Sequence, residues 1–345
     1  MAPRTERPKA LIVLSSAKRL PLTEPADHPG ISTGFFLVEL AAVMAQFEET
    51  HDFILATPDG EVPQLDINGL ALNFHAAGDL GPATARHTIQ TDAEKLSPER
   101  LREKNPELLK RREAELALAR RHLGRLPVSE PLPKTDREAV SIRAGVLASF
   151  KEVPEERYHS IEQLLAMDRD PSDEFALADF DFVHMPGGHA PMVDFHDNPL
   201  MGELLHTLRE ADVPISLICH APIALTSGRY RVGADGTVQV SEDHEFKGAS
   251  ITTVPRWGER FMLASQYPKV PGQKTRLTYY VDVALKEAGY DVNLNLNPTA
   301  VKVIWDAEHD VLTGNGPQAV DAQAARLVEI LGDRATVSRS RTERA

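Results

Sequence analysis

Short apolar runs rich in β-branched residues alternate with amphipathic helical segments over most of the chain, separated by Pro, Gly and Asp turn signals. Strands that are apolar on both sides need a sheet covered on both faces, which in practice means a parallel α/β sheet. Ala10–Ser15 (ALIVLS) reads as such a strand. Ser16–Gly34 is rich in Pro and Gly and reads as a loop. In Phe35–Glu48, Phe36, Leu40, Val43, Met44 and Phe47 fall at helical spacing. Asp52–Thr57 (DFILAT) is a second strand, closed by Pro58-Asp59-Gly60. This strand–helix–strand opening predicts a doubly wound sheet.

The rhythm breaks over residues 73–172. Ser97–His122 is highly charged and helical in propensity, with Ser97 placed as N-cap and Pro98 as first helical residue. Pro106 must end or kink that helix. Arg125–Lys134 holds three prolines and reads as a linker, and Lys110-Arg111-Arg112 reads as a solvated helix face. We therefore expect an α-rich insertion or cap over 73–172, set into a discontinuous core of 1–72 and 173–333. The rhythm returns with the strand Phe180–Met185 (FDFVHM), which ends in Pro186-Gly187-Gly188. Then follow a helix over Asn198–Ala211, a strand over Pro214–Ile218 and a short helix to Ser227. Gly248–Val254 and Ala300–Asp306 read as strands, Leu277–Ala288 and Ala319–Leu331 as helices, and 334–345 as a flexible tail.

Composition narrows the function. The chain of 345 residues carries a net charge of −13, which argues against nucleic acid and against an anionic membrane surface as partners. No apolar run reaches the length of a membrane span, and the polar Met1–Lys9 start shows no targeting segment, so a cytoplasmic location is expected. The single cysteine, Cys219, excludes an intramolecular disulfide and a cysteine zinc cluster.

Cys219 nonetheless sits at a strand-to-helix junction. There a side chain projects at the carboxyl end of the sheet, where open α/β sheets bind ligands. The helix N-terminus lowers a thiol pKa and offers N–H groups to an oxyanion. His220 is adjacent and is a candidate base. From spacing alone two readings stand, a nucleophile or a small buried hydrophobe. Gly187-Gly188-His189 opens on the same sheet edge, where paired glycines let backbone N–H groups approach a ligand. Glu39, on an otherwise apolar helix, is either a solvated side chain or a buried acid with a raised pKa. His184, His189 and His196 follow no metal-binding spacing, so no metal is expected. His189 is the best of the three for lining the pocket. Trp257 and Tyr267 are further lining candidates.

Taken together, Thr33-Gly34-Phe35 through Glu39, Asp181 through His189 (DFVHMPGGH), Leu217 through Pro222 (LICHAP) and Leu312 through Pro317 (LTGNGP) resemble the DJ-1/PfpI superfamily. Within it the chain looks most like the holding-chaperone/glyoxalase III/protein deglycase branch. The resemblance implies a flavodoxin-like core related to class I glutamine amidotransferases. It also implies a Cys219 nucleophile, a His220 partner, a buried Glu39 carboxyl beside the thiol and Glu259 as third triad member. Gly188 and His220 would supply the oxyanion hole, with Gly187 and His189 binding substrate. Glu259 also reads as a loop carboxylate between Arg256 and Arg260. Ala221 departs from the Gly frequent after Cys-His. Zinc ligands known in some relatives do not map cleanly onto Glu48 and His51.

The leading expectation is a cofactor-independent cysteine enzyme acting on reactive carbonyls. It would convert methylglyoxal to lactate without glutathione, or remove sugar-derived carbonyl adducts from a glycated substrate, through a Cys219 hemithioacetal. The alternatives are a stress-related holding chaperone for unfolded clients and another Cys hydrolase or hydratase of the superfamily. A homodimer is expected.

Overall fold

Alternation along the first strand separates two cores. Leu11 and Val13 join one apolar cluster, while Ala10 and Ile12 face the opposite side of the sheet. The structure, a computed structural model, describes residues 7–78, 84–132, 137–265, 267–297 and 299–342. The first six residues of the polar start, Pro133 and Lys134 of the expected linker, and the last three residues of the expected tail lie outside the described residues.

Seven strands form the main sheet: β1 (Lys9–Val13), β2 (Asp52–Thr57), β3 (His159–Ser160), β4 (Phe180–Met185), β5 (Ile215–Ile218), β6 (Val303–Asp306) and β7 (Val311–Gly314). Their order is β6-β7-β5-β4-β1-β2-β3. Every pairing is parallel except β6 on β7. The stretch β2-β1-β4-β5-β7 reproduces the flavodoxin-like order. The fold is therefore the α/β, doubly wound, mostly parallel sheet that the sequence predicts.

Six helices matter for the argument: α1 (Leu37–Phe47), α2 (Pro106–His122), α3 (Ile161–Arg169), α4 (Pro199–Glu210), α5 (Arg256–Ser265) and α6 (Val320–Thr342). On one face α1 packs against α2 and α6, its Leu40 and Met44 joining Ile12 and Leu118. On the other, Ile161 and Leu165 of α3 and Leu204 and Leu208 of α4 join Leu11 and Val183. No helix among the described residues is long and apolar enough to cross a membrane.

Several sequence expectations change. Residues 73–172 do not simply stand over the core: α2 covers one sheet face, β3 is the sheet's edge strand beside β2, and α3 is buried in the opposite cluster. Two expectations hold here: Ser97 caps a helix, Pro98–Lys104, and that helix ends before Pro106, which starts α2. Within Lys110-Arg111-Arg112 only Lys110 is exposed; Arg112 is buried on Glu138, and Arg111 pairs with Glu115 and Asp321. Ser16–Gly34 contains short strands, with Arg19–Leu20 pairing Ile31–Ser32 and Leu22–Glu24 pairing Arg276–Leu277. The helix expected from Leu277 starts at Val281. Of Gly248–Val254 only Ser250–Ile251 is a strand, paired outside the main sheet with Asp291–Val292. α6 runs on through Thr342, where a tail was expected, and Arg334 is held by Asp310 and the Asp212 carbonyl.

Candidate active site

β4 and β5 are parallel neighbours, so their carboxyl ends open on one edge of the sheet. β5 ends at Ile218, and Cys219 takes φ +62°, a left-handed conformation that few non-glycine residues adopt. Its backbone is pinned there. Cys219 N–H donates to Gly314 O, and the Thr253 hydroxyl donates to Cys219 O at 2.6 Å. This explains why the strand in Gly248–Val254 stops at Ile251, since Thr252 and Thr253 direct their hydrogen bonds to Thr313 and the Cys219 turn.

Glu39 is fully buried in the first turn of α1. His184 on β4 fixes that turn: its Nε2 lies 2.9 Å from Glu39 O, and its Nδ1 lies 3.0 Å from Ser216 Oγ. A carbonyl only accepts, so Nε2 carries a proton. Burial holds its pKa down at about 4. Gly187 N–H donates to Glu39 Oε2 at 3.0 Å. The N–H of Gly187, a residue expected to contact substrate, is thus taken by the buried acid. A Cβ there would sit 2.7 Å from Cys219 Cβ, 2.7 Å from Ile218 O and 2.8 Å from Glu39 Oε2. Gly187→Ala is expected to cost about 1–3 kcal/mol, read from the urea midpoint, together with activity; unchanged stability would contradict this packing.

The other residues converge from separate elements. The Cys219 sulfur lies 3.2 Å from His220 Nδ1, and His220 Nε2 lies 3.2 Å from Glu259 Oε2. Glu259 is not on a surface loop: it occupies the first turn of α5 and is only 6% exposed. The flanking arginines do not bind it, since Arg260 lies over the Tyr280 ring and Arg256 N–H donates to Asp282. His189 reaches the same carboxylate, with Nε2 3.2–3.3 Å from both oxygens. The two imidazoles lie 4.3 Å apart, and Tyr267 meets His189 edge-on.

The electrostatics divide two acids. Burial raises the Glu39 carboxyl to about 7, against the opposing pull of the Cys219 thiol and the Gly187 N–H. Burial pushes Glu259 the same way, but the charges and N–H groups of His189 and His220 outweigh it and hold the carboxyl far below its ordinary range. Burial lowers His220, and the neighbouring His189 adds to this. Burial lowers His189 too, but Glu259 reverses the sign and raises it. Burial and then Glu39 push the Cys219 thiol well up, while the Gly188 N–H beside it opposes them. A neutral His220 donating from Nε2 to Glu259 leaves its Nδ1 lone pair facing the thiol.

Asp66 is a buried residue that sequence reasoning missed. It accepts from Tyr267 Oη, Thr33 Oγ1, Ser129 Oγ and both nitrogens of Asn68. Its charge also contributes to raising His189. Nothing in its spacing to Cys219 marks it.

His189, His220 and Glu259 present ligand atoms within 4.8 Å of one another, the one group among the described residues close enough to hold a metal. Here their own hydrogen bonds join them. His184 and His196 do not converge with them: His184 lies under α1, and His196 lies against Tyr279. Nor do Glu48 and His51 form a ligand set, since Glu48 takes Arg121 and His122 while His51 faces Asp181.

Cys219, His220, His189 and Glu259 all line one cavity of about 710 Å³. Trp257 and Tyr267 line it as well, and Phe74, His87 and Gln90 reach it from the 73–172 stretch.

The fold and site together define a doubly wound α/β protein with a cysteine in a strained turn at a strand's carboxyl end. The sequence profile of the DJ-1/PfpI family matches residues 146–330, just over half of the chain, and the chain belongs to that family. The matched stretch holds Cys219, His220 and Glu259; Glu39 precedes it. Solved structures of similar fold include the following two. The Francisella tularensis Rapid Encystment Protein 24 KDa aligns at TM-score 0.54 and 14% identity, over 94% of this chain and 99% of that one. Glyoxalase III from Candida albicans aligns at TM-score 0.50 and 14% identity, over 93% of this chain and 96% of that one. No curated protein matches the chain.

Proposed function

We propose that the protein is a cysteine enzyme acting on reactive carbonyl compounds. It converts a 2-oxoaldehyde such as methylglyoxal to a 2-hydroxy acid without glutathione, and the same addition to a glycated amine would give deglycase activity. The observation that carries this is the chain Cys219–His220–Glu259 at 3.2 Å spacings, with a second, protonatable acid, Glu39, against the same thiol. The DJ-1/PfpI membership supports it, and a glyoxalase III is among the proteins of similar fold.

In the proposed reaction the neutral His220 takes the thiol proton as sulfur attacks the aldehyde carbon. Glu259 steadies the imidazolium that forms. Backbone N–H groups of Gly188 and His220 hold the oxyanion, which takes the proton back to give the hemithioacetal. Glu39 then removes the hydrogen of that carbon as a proton, leaving an enediolate with its charge on the neighbouring carbon's oxygen. It returns the proton to that neighbouring carbon while the hemithioacetal hydroxyl proton passes to the charged oxygen, leaving a 2-hydroxyacyl thioester. A carboxyl near pKa 7 is matched to both directions of transfer at neutral pH. Water attacks the thioester and releases the hydroxy acid and the thiol. One carbon is oxidised and its neighbour reduced, so no redox partner is needed.

The test is lactate formation from methylglyoxal with every low-molecular-weight thiol omitted. Lactate in excess of enzyme is expected. Its absence, with the carbonyl unconsumed, overturns the reading.

A further inference from the structure

The cavity over Cys219 differs in character between floor and walls. The floor holds the titratable groups, while the walls include Phe36, Phe74, Trp257, Phe261, Met262 and Pro317. Trp257 and Phe261 stand one turn apart on α5, and they are 40% and 63% exposed. Large apolar side chains left open to water beside a reactive group mark a binding surface. No described lining residue is Lys or Arg, and the carboxylate present, Glu259, is already bonded to two histidines. Thus a phosphate or carboxylate on the substrate meets no Lys or Arg there, and the His189 and His220 imidazoles are already engaged by Glu259. Size points the same way. A water molecule takes roughly 30 Å³ of liquid, so a three-carbon aldehyde leaves most of a 710 Å³ cavity unfilled.

Resting on the proposed attack of Cys219 on a carbonyl, we infer that the preferred substrate carries a bulky, uncharged apolar group, and that Trp257 and Phe261 of α5 select it. The reactive carbonyl sits at Cys219 and the apolar group lies along α5. The small dicarbonyl is then a poor substrate that reacts without filling the site.

The test is kcat/KM, with no added thiol, for straight-chain 2-oxoaldehydes of increasing length starting from methylglyoxal, and for phenylglyoxal. About two- to fourfold gain per added methylene is expected, from the area each removes from water. Phenylglyoxal should exceed methylglyoxal by about tenfold or more. Phe261→Asp and Trp257→Ser should flatten the slope; both positions are exposed, so neither change disturbs the core. Turnover of methylglyoxal with no dependence on length overturns this inference and leaves the carbonyl chemistry standing. No turnover of any member overturns the carbonyl chemistry and this inference with it. Suppressed aggregation of a denatured client, abolished by Phe261→Asp while the length series stays flat, assigns the apolar wall to unfolded polypeptide and also overturns it.

Discussion

Cys219→Ala is expected to lower lactate formation from methylglyoxal by roughly 10⁴-fold or more, because the covalent route disappears with the sulfur. His220 and Glu259 then have nothing to deprotonate. The oxyanion donors alone leave only residual activity, as in other triads that lose their nucleophile. Stability should change little by comparison. Cys219 is buried, but the deletion removes one atom from a site bordered by a cavity, so a loss of about 1 kcal/mol or less is expected. The assay is lactate release at matched enzyme concentration, with far-ultraviolet circular dichroism to verify the fold. A variant retaining more than about a tenth of wild-type turnover would remove Cys219 from the chemistry.

Glu39→Gln is expected to separate stability from activity, with a pH signature. In the unfolded chain Glu39 titrates near 4.5, and burial moves it to about 7 in the folded protein. A group whose folded pKa is raised binds its proton more tightly in the folded state. Its contribution is fully present below about 4.5 and is lost as pH rises through about 7. The gap corresponds to about 3 kcal/mol. Glutamine presents an oxygen to the Gly187 N–H and an amide where the protonated acid stood, but never ionises. The variant should therefore gain about 3 kcal/mol on the wild type between pH 4.5 and pH 8.5. Urea denaturation at both values measures this, and an equal difference at both would contradict the buried acid. Turnover should fall by about 10²–10⁴-fold, the usual worth of a positioned acid or base. Glu259 has the opposite sign. Its folded carboxyl lies well below its unfolded value, so its contribution is present above about 4.5 and is lost on acidification. Two carboxylates pushed apart in this way suit two roles, one moving protons and one steadying charge.

The sheet was legible because each central strand carries its own signal. ALIV is a continuous apolar run, FDFVHM and ISLI are mostly apolar, each is followed by turn residues, and such runs form parallel strands. The placement of β3 and α3 was not legible. His159–Ser160 is too short and polar to read as a strand, and only its neighbour β2 gives it a ladder. The charges of α2 likewise read as solvent-facing, whereas Arg112 is satisfied by Glu138, 26 positions away and invisible to local spacing. At the site, Cys219 and His220 were readable from the strand-to-helix junction, and the structure puts sulfur and imidazole in contact. Glu39 gave two readings because helical periodicity alone does not say how wide the buried face of α1 is. The convergence of Glu259, His189 and Asp66 depends on where α5 and the loop after β2 settle, which no local pattern encodes.

The most direct test of covalent catalysis at Cys219 uses carbon-13 NMR with methylglyoxal labelled at its aldehyde carbon. Glu39→Gln enzyme keeps the nucleophile and its base but lacks the acid that moves the proton onward. The labelled carbon is expected to accumulate as a hemithioacetal resonance in Glu39→Gln and to be absent from Glu39→Gln/Cys219→Ala. Labelled carbon that stays as free hydrate with Glu39→Gln, while the wild type turns it over, would contradict attack by Cys219.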